Sequence, residues 1–323
     1  MRKRSLKQKI MWPVLVLIFV IMAASTAVTY ILSSRAFEED AVKSLETIAQ
    51  DKADLIDLWI EDAIGAMAMA ASRAVFENVL TNDTEENRAK ANEALAEQIR
   101  IFKVFSYMNI VNAQGEVRAS TVEGAVGKVR VGDREYFKKA MKGELNISEV
   151  YLARTTGKPA FAIAAPIKQG DRVIGVIVGV PDLTKFSEKF VDPVKIGQTG
   201  YLYLFDSSGV VFAHPNKNVV MKLNLKETDW GRDVIKKGKG ANNYVFEGIH
   251  RMAYAVPCSK AAWTVATSIH STEIFRRSKT MALINLFILI AGLAVAVVAL
   301  YVIVRSVVRP IQVITDGLHE SAD

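Results

Sequence analysis

The sequence predicts an α+β fold in which a long N-terminal helix carries two α/β sheet units and two transmembrane helices flank the whole. Three observations predict it. Two windows of about 22 residues are almost free of charge, long enough to cross a hydrocarbon core of roughly 30 Å. Residues 33–100 place apolar side chains at helical spacing with almost no Gly or Pro. Beyond residue 102 the apolar period drops to two and Gly-bearing turns recur.

The first span runs from about Ile10 to Leu32. Its apolar run is longer than a signal-peptide core and no small-residue cleavage site ends it, so it reads as an uncleaved anchor. The second span runs from about Met281 to Val304. Arg2, Lys3, Arg4, Lys7 and Lys9 precede the first span, and Arg305 and Arg309 follow the second. This bias puts both termini in the cytoplasm and residues 33–280 outside it, although Arg276, Arg277 and Lys279 argue mildly the other way. The expected location is a bacterial inner membrane, crossed twice, with the outer region periplasmic or extracellular.

The 323 residues carry a net charge of +7 with a mean hydropathy of +0.18. Much of that charge flanks the spans. Residues 33–279 hold 34 basic and 31 acidic side chains, an ordinary surface rather than a phosphate-binding stripe, so no nucleic acid is expected as a partner. The single cysteine, Cys258, forbids an intrachain disulfide, and the four histidines form no metal-ligand spacing. Nucleotide-binding and nucleophile-elbow motifs are missing too, so the expectation is no enzyme, no cofactor and no metal.

Leu45, Ile48, Ala49, Ala53, Ile56 and Trp59 recur at spacings of three and four, marking an amphipathic helix that continues out of the first span. Thr81-Asn82-Asp83-Thr84 reads as a loop and N-cap before a second helix through Ile101. Strands are expected at 104–111 and 117–120 around a turn at 112–115, then a short helix over 136–141. Apolar strands at 160–167 and 173–180 flank the turn Lys168-Gln-Gly-Asp171. Together they predict one five-stranded sheet with helices on one side. Strands at 201–205, 210–214, 243–246, 251–256 and 263–268 repeat the order in smaller form.

Three segments carry a family resemblance. Asp133-Arg134-Glu135-Tyr136-Phe137 is the first. Thr156-Gly157-Lys158, Ala165-Pro166-Ile167 and the run Gly175 to Gly179 form the second. Gly197 to Asp206 with Gly209 and His214-Pro215 forms the third. In this order they resemble the double Cache sensor domain of bacterial methyl-accepting chemotaxis receptors, with PAS-like sheet units. The resemblance implies a distal unit over about 60–190 and a proximal unit over about 191–275. Val304-Arg305 with Arg309-Pro310-Ile311 resembles the start of a HAMP linker over 305–323. A proline in the first turn of a new helix loses no hydrogen bond.

The resemblance also nominates a site. Arg134 would take a carboxylate bidentately, beside an aromatic wall from Tyr136. Thr155, Thr156 and Lys158 would add hydroxyls and a cation, with Tyr151 and Asp182 as weaker candidates. The plain alternatives are a surface ion pair of Arg134 with Asp133 or Glu135, a solvated turn at 155–158, and a helix cap at Asp182. Amino-acid-sensing relatives tend to carry Trp and Tyr where this chain has Tyr136 and Phe137, and a carboxylate where it has Ala153. A short organic acid is therefore the first ligand expected and an amino acid the second. Tyr203 and His214 suggest a second pocket, against the plainer reading of His214 as a turn cap before Pro215. The expected partners are membrane lipid, a second copy of the chain and, through an output domain absent from this chain, the chemotaxis signalling proteins. The alternatives are an input module of a histidine kinase or cyclase, or a membrane-anchored adaptor that binds a periplasmic protein.

Overall fold

The structure, a computed structural model, describes residues 6–154, 156–303, 305 and 306. The HAMP-like segment from 307 onward, with Pro310, lies outside the described residues, as does Thr155. Helix α1 covers Leu6–Ala71 and α7 covers Ser271–Ile303. Both contain stretches long and apolar enough to cross a membrane, with mean hydropathies of 2.5 and 3.0. The chain divides into two compact units. One is Val42–His270; the other is built from the segments on either side of it. Within the flanking unit, Met22 Cε packs where a side chain at Gly292 would begin.

In the central unit, α1 buries Leu45, Ala49, Ala53 and Ile56 as its spacing predicts and continues the stripe through Ile60, Ala63 and Met67, while the predicted Ile48 and Trp59 are half-buried. The helix breaks at Ser72–Arg73, where Arg73 forks onto one oxygen of Glu97 at 3.1 Å. Helix α2 (Ala74–Thr81) and α3 (Glu85–Phe102) follow. Thr84 caps α3 as expected, its hydroxyl accepting the Asn87 N–H at 3.2 Å.

The first sheet is built from β1 (Phe105–Asn112), β2 (Val117–Ser120), β3 (Asn146–Ile147), β6 (Ile163–Gln169) and β7 (Arg172–Pro181), in the order β2-β1-β7-β6-β3. Helix α4 (Glu135–Met141) lies between β2 and β3 in sequence. Strands β4 (Tyr151–Leu152) and β5 (Pro159–Ala160) form a separate two-stranded ribbon. Helix α5 (Leu183–Phe190) leaves the sheet at its end.

The second sheet contains β8 (Tyr201–Asp206), β9 (Val211–Ala213), β10 (Gly240–Phe246), β11 (Ile249–Pro257) and β12 (Trp263–His270), in the order β10-β11-β12-β8-β9. Helix α6 (Asp229–Lys237) sits between β9 and β10 in sequence. Numbered within their own units, both sheets read 2-1-5-4-3, and every pairing in each is antiparallel. The faint sequence repeat is thus a repeat of topology. Neither β3 nor α6 is visible in the apolar pattern: β3 has two residues, and α6 is mostly charged.

The expectation of helices on one side of the first sheet is corrected. Val176, Val178 and Val180 pack with Tyr136, Phe137 and Ala140 of α4. The alternate residues of the same strand meet the other helices: Gly175 abuts Leu80 of α2, and Gly179 abuts Met67 of α1. A strand covered on both faces reads as a continuous apolar run, which hides the second layer. A Cβ on Gly179 would lie 2.6 Å from both Met67 Sδ and Phe105 Cε1, so only glycine lets the helix layer seat here. Gly115, at φ +78°, closes the β1–β2 turn against Gly132, whose Cα stands 2.4 Å from where a Cβ would be.

The two sheet units are joined by an aromatic cluster. Phe161 is fully buried, 4.7 Å from Trp263 and 6.3 Å from Trp59 between ring centres. The buried Asp206 carboxylate accepts the Val150 N–H from the first unit at 3.1 Å and the Ser208 and Val210 N–H groups from its own turn.

Candidate functional site

Arg134 is the N-cap residue of α4 and leaves the helix end with extended backbone. That geometry throws its side chain across the β4 ribbon rather than along the helix. The guanidinium carbon stands 4.8 Å from the Tyr151 ring centre, and Nη2 donates to the Leu152 carbonyl at 3.3 Å. The Tyr151 ring in turn stacks on Tyr136, at 5.6 Å and 23°. Phe137 is core packing on the same helix. The surface ion pair expected as the plain alternative does not form. Asp133 is taken by Arg154, which forks onto its two oxygens at 2.7 Å each, and Glu135 pairs with Lys138. Among the described residues Arg134 has no carboxylate partner, and its Nε and Nη1 make no protein hydrogen bond.

Under this layer is a small, partly open recess of about 20 Å³. Tyr107, Asn109, Val178 and Val180 of the sheet form its floor, and Arg134, Tyr136, Tyr151 and Arg154 form its rim. Among the described residues no acidic side chain lines it. Outside the stacked tyrosines a larger cleft of about 460 Å³ opens, shared by Arg134, Asn146, Glu149, Tyr151, Ser207 and Trp263. Burial pushes the Tyr136 hydroxyl up to about 12 and raises Tyr151 further, so both stay neutral, and the two hydroxyls face each other. The hydrogen bonds from Arg154 hold the Asp133 carboxyl below its usual range. Its charge is thereby committed to Arg154 and not to a ligand.

The candidates do not all converge. Arg134, Tyr136 and Tyr151 come together. Thr156, Lys158 and Asp182 line a different cleft, of about 670 Å³, with Ser187, Phe212 and Lys217. The β4–β5 ribbon is the reason. Its tip is closed by Ala153 N–H to the Lys158 carbonyl and Gly157 N–H to the Ala153 carbonyl, which turns residues 156–158 away from α4. Asp182 is spent as the cap of α5, accepting from Thr184 and Lys185 N–H at 2.9 and 3.2 Å.

Among the lining residues that escape the sequence reading are Tyr107, Asn146 and Arg154. Tyr107 shares the face of Val180 across β1 and β7, a register that no local signal announces. Asn146 donates to the carbonyls of Tyr136 and Glu144, while its buried Oδ1 has no partner among the described residues. No group of three His, Cys, Asp or Glu among the described residues is placed to hold a metal ion.

A Cache domain family model matches residues 33–278. The methyl-accepting chemotaxis protein McpA of Bacillus subtilis is 23% identical over 323 residues, covering 96% of this chain and 46% of that protein. The chain thus spans about half the length of this curated relative. Two solved structures share the fold. The ligand-binding domain of the Pseudomonas aeruginosa amino acid chemoreceptor PctB in complex with L-Arg superposes with a TM-score of 0.58 at 19% identity, over 73% of this chain and 98% of that one. The ligand-binding domain of the Pseudomonas fluorescens chemoreceptor CtaA in complex with L-serine does so with a TM-score of 0.58 at 22% identity, over 72% and 98%.

Proposed function

Because this chain belongs to the Cache domain family, we propose that it is the input module of a transmembrane chemoreceptor and binds a short organic carboxylate in its first sheet unit. One observation carries the ligand class. The inner recess presents a guanidinium with no carboxylate partner, Arg134, two neutral tyrosine hydroxyls and, among the described residues, no acidic lining side chain. A carboxylate satisfies those donors. An α-ammonium group there would be buried without a counter-charge, at a cost of several kcal/mol. The room of about 20 Å³ is that of a single small group, so the carboxylate head would enter here and the rest of a short acid would extend toward the outer cleft.

An amino acid is the second reading, since PctB and CtaA were solved with amino acids. The partnerless Oδ1 of Asn146 and the Glu149 carboxylate in the outer cleft are the groups that would receive an ammonium.

In this reading the spans anchor the module in the inner membrane, and the sensor region is binding rather than catalytic. Ligand closure acts on the contacts that join the sheet units, Phe161 to Trp263 and Val150 to Asp206. Strand β12 ends at His270 and α7 begins at Ser271, so strain on the second sheet passes into α7 without an intervening loop. A homodimer and a HAMP segment would carry it to an output domain.

Thermal unfolding of the full chain in maltoside micelles tests the ligand class, since bound ligand adds RT ln(1 + [L]/Kd) to stability. Acetate, propionate and pyruvate should raise the Tm, and L-Arg and L-Ser should not. A rise with the amino acids alone would overturn the carboxylate reading in favour of the second.

A further inference from the structure

The second sheet unit holds a buried cation of its own. Arg251, at the start of β11, is only 7% exposed, and its Nε and Nη1 have no hydrogen-bond partner among the described residues. No carboxylate pairs with it there. The Tyr203 hydroxyl, also buried, makes no hydrogen bond of normal length there, and the Tyr244 hydroxyl is its polar neighbour. The guanidinium carbon lies 4.9 Å from the Tyr201 ring centre. His214 packs edge-on to Tyr201 at 4.7 Å and sits 5.9 Å from Tyr203. Its Nδ1 accepts the Asn216 N–H at 2.8 Å, which puts the imidazole proton on Nε2.

We propose that this cluster is a second ligand site, separate from the one at Arg134, and that it takes a small carboxylate-sized oxyanion. All three orphaned atoms are donors, and the cluster carries one positive charge with no ion-pair partner among the described residues, Glu247 being the carboxylate whose charge reaches Tyr201. Its complement is a group that only accepts hydrogen bonds and brings one negative charge. A native fold rarely keeps a charged group buried and unpaired. The Arg251 charge is felt by Tyr201, Tyr203, Tyr244 and His214, so these groups face the guanidinium together. Burial holds His214 down to about 4, so it stays a neutral donor at pH 7. Entry is from one end of the strands, where Tyr201 at the start of β8 and His270 at the end of β12 are half-buried and Ile249 and His250 at the start of β11 are exposed.

The experiment uses the full chain in maltoside micelles, which contribute no lipid phosphate, with Arg134→Ala as the background so that binding at the first site is weakened, and with acetate held at a concentration where that background leaves the first site largely empty. Sodium acetate is compared with sodium gluconate at equal ionic strength, gluconate being the bulkier carboxylate. Acetate should raise the Tm of Arg134→Ala by a few degrees. The increment should vanish in Arg134→Ala/Arg251→Met and shrink in Arg134→Ala/Tyr203→Phe, a variant that keeps the charge and removes one donor. No increment in Arg134→Ala, or an undiminished one in either double variant, overturns the proposal. Loss of the wild-type increment through Arg134→Ala alone would place all acetate binding at the first site.

Discussion

Replacing Arg134 by alanine separates the binding role of this side chain from its structural one. In the unliganded fold the guanidinium makes one long hydrogen bond, 3.3 Å to the Leu152 carbonyl, and one stacking contact at 4.8 Å with Tyr151. A partly exposed cation–π contact contributes about 0.5–1 kcal/mol, so the variant should stay folded with a Tm only a few degrees lower. The ligand loses far more. Hydrogen bonds to a charged group contribute about 1.5–3 kcal/mol, which is roughly a ten- to hundredfold rise in Kd. Arg134→Lys should recover only part of that, because an ammonium cannot form the paired fork. Arg154→Ala is the control. Its guanidinium is already committed to Asp133 by two 2.7 Å bonds, so its loss should change propionate affinity several-fold less. Titration calorimetry of the full chain with propionate reads all four proteins. Equal affinities for wild type and folded Arg134→Ala would refute the assignment.

Three further outcomes follow from the packing. Gly179→Ala sets a Cβ 2.6 Å from Met67 Sδ and Phe105 Cε1, and overpacking of this kind should cost about 1–3 kcal/mol in urea unfolding. Phe161→Ala empties the aromatic joint between the sheet units and should cost about 3–5 kcal/mol; a loss under 1 kcal/mol would show that the joint collapses around it. His214 gives a pH signature. Burial first, then the charges of Arg251 and Lys217, hold it down to about 4, against the opposing Asn216 N–H contact and Asp192 carboxylate. The unfolded histidine, near 6.5, takes up its proton first. The stabilisation is therefore complete above pH 6.5 and is lost as pH falls from there toward 4, about 3 kcal/mol in all. Unfolding free energies of His214→Gln at pH 7 and pH 5 should differ by less than those of wild type, and an unchanged difference would contradict the shift.

Periodicity alone was enough for the elements whose faces differ. The buried stripe of α1 from Leu45 to Met67, the Thr84 cap and the β1–β2 turn at Gly115 are each written in local chemistry: helical spacing, a hydroxyl at the N-cap, a glycine at positive φ. Arg134 and Tyr136 were legible together because they sit at one helix start, with Tyr151 only a weaker candidate that the short ribbon brings beside them. What adjoins them was not. Tyr107 reaches the cavity through the pairing of β1 with β7, some seventy residues later in the chain, and Arg154 is placed by its fork to Asp133. The loop at 156–158 carries the right functional groups, but two backbone hydrogen bonds turn it toward Lys217 and Ser187 instead. The charge of Arg251 is plain in the sequence; that it is buried without a counter-ion is not. A residue's type states what it can donate or accept. Which partners remain within 3 Å is decided by strand register and by which layer covers each face, and both are properties of the assembled fold.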